Sequence, residues 1–303
     1  MSVVEEIVRA FDRSLIISCW KFVFPVLVCF YLFIFIYDKR RYGGKRKGAD
    51  AAPQEVEEKL DGIEYVGEVD SDDFDPTPVL EEKDHVPFAG AKVTLDSDPL
   101  KAAAKFYAIV NDRRSVRKYS SKPVDLAIVE KCIHAAGTSP SGAHTEPWTF
   151  CVISDKDIKE QIREIIENEE FINYQQRMSK QWTTDLRPLR TNHVKEYLTE
   201  APHLVLIFKQ TYGIKADGTG KKQHYYNEIS TSIATGILLC ALQAAGLNSL
   251  VTTPLNCGPA LRNLLGRPVN EKLLVLLPVG YAADDCKVPD LKRKPVEEIM
   301  AKY

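Results

Sequence analysis

Several common functional signatures are missing from this 303-residue chain, and each gap removes a class of protein. Its seven cysteines form no Cys-x-x-Cys pair and no Cys/His spacing suited to zinc, so no metal site is expected. An odd cysteine count without a pairing pattern also argues against a disulfide framework. No Gly-x-Gly-x-x-Gly motif and no Gly-rich Lys-Ser/Thr phosphate loop occurs, which excludes a Rossmann dinucleotide site and a P-loop. There is no internal repeat and no excess of glycine (16) or proline (17), so solenoid, collagenous and low-complexity classes fail. Excess charge is lacking too: the formal net charge is −2, and no clustered basic face suggests nucleic acid. What the chain does have is 45% apolar residues, enough for one large or two small cores.

The near-neutral total hides a segregation. Residues 38–48 carry six Lys/Arg against Asp38, residues 50–85 carry fourteen Asp/Glu against Lys59 and Lys83, and residues 86–303 carry 29 basic and 24 acidic side chains. That dispersed surplus suits an anionic small ligand. After a short segment 1–14, residues 15–37 read LIISCWKFVFPVLVCFYLFIFIY, 23 residues whose one charge is Lys21, which predicts a single membrane-spanning helix. The run is too long and too aromatic for a cleaved signal peptide. Lys39, Arg40, Arg41, Lys45, Arg46 and Lys47 follow it, so the positive-inside rule puts the remainder in the cytosol, on a plasma or vesicle membrane. Residues 38–90, basic and then acidic with prolines, are expected to form a flexible tether.

From residue 91 to 303 helical and strand patterns interleave, which predicts an α+β body with helices covering a sheet. Helices are expected over 98–112, 123–136, 155–182 and 226–246, and strands over 148–154, 204–209 and 273–281. The 226–246 segment has almost no polar face and is expected to be buried all round, centrally or against a second subunit. The stretch 212–222 is flexible in composition and gives no functional signal.

Two clusters look like chemistry. Residues 111–119 read NDRRSVRKY, and guanidinium forks crowded into one loop suit phosphate oxygens as well as they suit a solvated surface. Residues 138–148 read TSPSGAHTEPW, a constrained loop whose backbone can approach a ligand closely. His144 and His224 lack metal-ligand spacing and are expected in loop or packing roles.

Taken in order, RRSVR, SPSGAHTEPW, YYNEIS at 225–230, TTPLNCGP at 252–259 and VPDLKRKP at 288–295 resemble the nitroreductase-like flavoprotein superfamily, in particular its membrane-anchored, halotyrosine-dehalogenating branch. The resemblance implies an intertwined homodimer with FMN at the subunit interface. It implies that Arg113, Arg114, Ser115, Val116, Arg117 and Arg293 hold the flavin, that Pro140, Ser141 and Gly142 line its ring, and that Thr252 and Thr253 form a wall, Thr253 at N5. It further implies that Glu170, Tyr174 and Lys195 clamp an amino-acid zwitterion and that the Ala143 N–H binds the phenolate. By spacing alone Glu170, Tyr174 and Lys195 read as exposed helix surface among Glu164, Glu167 and Glu169. The implied activity is stepwise reductive dehalogenation of mono- and diiodotyrosine to tyrosine and iodide, salvaging the iodide. NADPH would be the ultimate electron source, through a partner reductase. A general nitroreductase or quinone reductase of the same fold is the alternative.

Overall fold

Strand β2 (His203–Gln210) sets the layers, because its two faces are both apolar. In the computed structural model, which describes residues 77–91, 93–215 and 220–303, Leu204, Leu206 and Phe208 enter one core and Val205 and Ile207 the other. Such side-chain alternation with no polar face requires helices on both sides of the sheet. The first core contains Ile162 and Ile166 of α3 (Lys156–Ile172), Leu198 of α5 (Tyr197–Glu200) and Leu261 of α7 (Gly258–Leu264). The second contains Val129, Cys132 and Ala136 of α2 (Leu126–Ala136) with Leu238 and Leu242 of α6 (Asn227–Ala244).

The antiparallel sheet runs β1 (Trp148–Ile153), β2, β6 (Glu271–Gly280), β5 (Asn248–Ser249). Ser115 adds a parallel bridge to Ser249, beyond the β5 edge. This is the expected α+β arrangement, and the three expected strands are present. The expected anchor at 15–37 and most of the tether lie outside the described residues. Among the described residues no helix is long and apolar enough to cross a membrane.

Helix starts follow their caps. Asp98, Asp125 and Asp155 each accept a backbone N–H at the starts of α1 (Pro99–Asn111), α2 and α3. The helix expected over 155–182 is broken. After α3 the chain makes a π-helical turn, Asn173–Arg177, becomes extended at Met178, and restarts as α4 (Lys180–Leu186) under a Ser179 cap. The unassigned stretch at 212–222 is bounded by a hairpin of β3 (Tyr212–Ile214) and β4 (Lys221–Gln223).

Helix α6 departs from expectation in an instructive way. Its inner face carries buried Ser230, Thr231 and Thr235, and the threonine hydroxyls bond back to Asn227 O (2.7 Å) and Thr231 O (2.8 Å). Meanwhile Ile229 and Ile233 are 50% and 43% exposed, and a Cβ added at Gly236 would meet nothing within 4 Å. Within one chain the helix is therefore buried on one side, so the central placement fails and the isoleucine face is left open to a second subunit. Its small hydroxyl residues let it sit close to the sheet, and its isoleucines face away.

Candidate active site

The basic loop is bound to the C-terminal segment by a series of backbone and side-chain ties. Val116 N donates to Ser249 O (3.2 Å), Ser120 N to Tyr281 O (2.9 Å), and Ala283 N to Lys118 O (3.1 Å). Arg114 donates to Pro289 O, and Arg293 donates to Arg113 O (3.0 Å) and Asn111 O (3.3 Å). Arg113, Arg114, Ser115, Val116 and Arg117 are thereby gathered with Arg293, although 180 residues separate Arg113 from Arg293. No described carboxylate pairs with any of the four guanidinium groups, so the corner holds uncompensated positive charge and is chemically suited to an anion.

Glu170, Tyr174 and Lys195 also converge. The Lys195 ammonium is 3.3 Å from Glu170 Oε2 and 5.5 Å from the Tyr174 ring centre, with the Lys195 and Glu170 side chains only 7% and 11% exposed. The exposed-surface reading of these positions is thus overturned for Glu170 and Lys195. Lys195 sits in the turn before α5, not on a helix, and Tyr174 lies in the π-helical turn. Burial lowers the Lys195 pKa from the usual lysine value, against the opposing pull of Glu170. Burial likewise raises the Tyr174 phenol.

Three residues that the sequence did not single out hold this group in place. Glu167 Oε1 accepts the Lys195 backbone N–H (2.6 Å) and the Arg163 guanidinium (2.7 Å). Tyr197 is buried, its phenol pushed up to about 12 by desolvation against a smaller opposing pull from the Thr252 side chain. Arg117 is near enough to act on Tyr174, Lys195 and Tyr197 electrostatically. The basic loop, the Thr252 loop and the three clamp residues therefore occupy one corner. Thr252 is paired both ways with Leu276 of β6 (3.0 and 2.8 Å), and Thr253 next to it is exposed.

Pro140, Ser141, Gly142 and Ala143 lie elsewhere. Their loop enters β1 at Trp148, which faces Lys209, which faces Lys272 at the start of β6. Ser115 instead lies beside Ser249, which faces Val279 near the end of β6. Strand spacing of about 4.8 Å and a rise of about 3.3 Å per residue put these corners roughly 30 Å apart across the sheet. The loop is tightly wound: Ala143, His144 and Glu146 all have left-handed φ (49°, 53° and 46°), and Ser141 Oγ accepts the Glu146 N–H (3.0 Å). Non-glycine residues in that region store strain of about 1–3 kcal/mol each and concentrate at ligand sites. His224 is buried against the Gln210 carbonyl, a packing role as expected, and the five described cysteines are unpaired. Among the described residues no cluster could hold a metal ion.

The sequence profile of the nitroreductase family matches residues 110–281, more than half of the chain. The chain belongs to that family. A Drosophila melanogaster iodotyrosine deiodinase is 60% identical over 251 residues, covering 82% of this chain and 84% of that protein. The Mus musculus iodotyrosine deiodinase 1 is 51% identical over 280 residues, covering 91% and 97%. Within the nitroreductases, the chain is thus one of the iodotyrosine deiodinase group. A crystal structure of an oxidized iodotyrosine deiodinase bound to FMN and 3-iodo-L-tyrosine superimposes with a TM-score of 0.57 at 28% identity, covering 65% of this chain and 98% of that one.

Proposed function

We propose that this protein is an FMN-dependent reductive deiodinase of free mono- and diiodotyrosine, working as a homodimer held to a membrane by residues 15–37. The observation that carries the reading is the convergence of Glu170, Tyr174 and Lys195 beside the basic corner. An amino-acid zwitterion presents an ammonium and a carboxylate a few ångströms apart. A buried carboxylate and ammonium side by side are its mirror image, so Glu170 takes the ligand's ammonium and Lys195 its carboxylate, with Tyr174 closing the third side. A quinone or nitroarene has no use for such a pair, which disfavours the general reductase alternative.

The donor set fits FMN. Arg113, Arg114, Arg117, Arg293 and Ser115 offer forked cationic donors for a phosphate dianion, and no described carboxylate competes for them. Bound FMN supplies the electrons that cleave the carbon–iodine bond; two electrons and one proton convert iodotyrosine to tyrosine and iodide. Thr252 and Thr253 wall that space, and Thr253 offers its hydroxyl there. The Ala143 backbone N–H holds the substrate's phenolate oxygen. Glu167 fixes the Lys195 backbone by accepting its N–H and is itself held by Arg163, while buried Tyr197 packs beneath the turn.

The 30 Å separation of the basic corner from the Pro140–Ala143 loop supports the homodimer. No flavin bridges that span within one chain, whereas a two-fold axis brings one chain's corner to another's loop. The exposed Ile229–Ile233 face of α6 is the kind of surface such an axis covers. NADPH as the ultimate reductant, delivered through a partner reductase, remains part of the reading.

Anaerobic reduction of the bound flavin followed by diiodotyrosine tests the activity. Stoichiometric reoxidation with iodide release is expected; flavin that stays reduced until a quinone is added overturns the deiodinase reading in favour of the general reductase. For topology, a reporter fused after Gly48 should face the cytosol, and exoplasmic labelling would overturn that orientation.

A further inference from the structure

We propose that Asn173 and Asn256 tie the substrate clamp to the loop that carries Thr253, so that an amino acid held by Glu170 and Lys195 also stiffens the backbone presenting Thr253. This coupling rests on the assignment of Glu170 to the ligand's ammonium and of Thr253 to the flavin.

Asn173 is 1% exposed and opens the π-helical turn. Its amide is used on both sides: Nδ2 donates to Glu170 Oε1 (3.3 Å), while Oδ1 accepts from Asn256 Nδ2 (3.3 Å) and from Arg177 (3.1 Å). A single buried carboxamide thus touches the clamp carboxylate and the Thr252–Asn256 loop at once. Extra residues of the π-helical kind recur at functional sites because they turn one side chain out of the regular helical row.

The two Glu170 oxygens have separate partners. Oε2 faces Lys195 at 3.3 Å, and Oε1 faces Asn173. A ligand ammonium competes with Lys195 for Oε2, which frees Lys195 for the ligand's carboxylate and leaves Asn173 on Oε1. Asn173 is therefore the fixed donor about which the exchange turns, and a better-ordered Glu170 orders Asn173.

The loop on the other side is anchored at its ends and tied in the middle. Thr252 is bonded both ways to Leu276, and Cys257 is fully buried. Between them Thr253 and Leu255 are exposed, and Asn256 sits at φ +64°, a left-handed conformation that asparagine tolerates. Its amide is what carries the loop to Asn173.

Hydrogen exchange on the FMN-loaded full chain, with and without 3-iodotyrosine, tests the coupling. In the wild type the ligand should slow exchange of residues 167–175 and of residues 253–257, each by about tenfold or more. Asn256→Gly keeps the left-handed backbone and removes the amide. With it, protection of 167–175 should persist while the change at 253–257 falls below about twofold. Its kcat should drop about fivefold with KM within about twofold, because the clamp still binds but Thr253 is no longer held. Asn173→Ala should reproduce the exchange pattern, and Asn256→Gly decides the matter if Asn173→Ala does not fold. Equal ligand protection of 253–257 in wild type and Asn256→Gly overturns the coupling, as does a wild type whose clamp is protected and whose loop is not. If neither segment responds because 3-iodotyrosine does not bind, the functional reading falls and the coupling with it.

Discussion

Co-expressed at equal levels, an Arg117→Ala chain and a Gly142→Val chain, each inactive alone, should recover about a quarter of wild-type deiodination. The expectation follows from the two corners of the sheet. Arg117 stands in the positive corner beyond β5, and Gly142 in the wound loop before β1, at opposite ends of β6. If each flavin site takes its corner from one chain and its loop from the other, a mixed dimer contains one doubly damaged site and one with both parts intact. Random pairing makes half the dimers mixed, and half the sites in those are native. Gly142→Val is a local lesion: a Cβ there would meet Tyr225 at 3.0 Å and the Tyr226 ring at 3.3 Å, so the loop must shift. Activity assays on the unfractionated co-expressed protein check the figure, and the doubly tagged, purified mixed dimer should show about half of wild-type activity. A mixture as dead as its components would mean that both corners serve sites within one chain, and the shared-site homodimer would be wrong.

Lys195→Ala should lower kcat/KM for diiodotyrosine by about a hundred- to a thousandfold, while turnover of a quinone changes by less than about twofold. The first figure comes from leaving the substrate carboxylate in a closed pocket without its cationic donor, about 3–4 kcal/mol. Both side chains are nearly closed off from solvent, so screening does little to soften the loss. The second figure separates substrate recognition from flavin chemistry, since nothing in a quinone engages the ammonium. Steady-state kinetics on both substrates with the same preparation makes the comparison. A parallel loss on the quinone would mean that Lys195 supports the fold or the flavin instead of the zwitterion.

The parts of this structure legible from sequence are those set by local pattern. Strands β2 and β6 are continuous apolar runs because both faces are covered, and the aspartate caps mark where α1, α2 and α3 begin. The arginine loop is visible as a dense run of guanidinium groups, although density alone suits a solvated surface as well as an anion site. The clamp is different. Glu170 lies among glutamates of mixed exposure, Glu164 open and Glu167 and Glu169 half-buried, and its burial is decided by α5 and by Lys195, 25 residues on. The break after α3 is hidden because Ser179 sits in a polar run where a cap looks like any other surface serine. The average composition of helix α6 does not say which face meets the sheet: Ser230, Thr231 and Thr235 lie inside with Leu238 and Leu242, and Ile229 and Ile233 lie outside. Asn173 and Asn256 carry no sequence signal at all, since their meeting joins segments 83 residues apart.

Glu170 and Lys195 satisfy one another before any ligand arrives. A newcomer must therefore offer both an opposite charge for the carboxylate and one for the ammonium, or it gains nothing by separating them. An iodotyrosine residue inside a polypeptide has neither, because its amine and carboxyl groups are spent in peptide bonds. If the pair holds the substrate's zwitterion as proposed, it filters on molecular context rather than on the iodinated ring. On the proposed assignment of Glu170 and Lys195, free iodotyrosine should be turned over and an iodinated polypeptide should not.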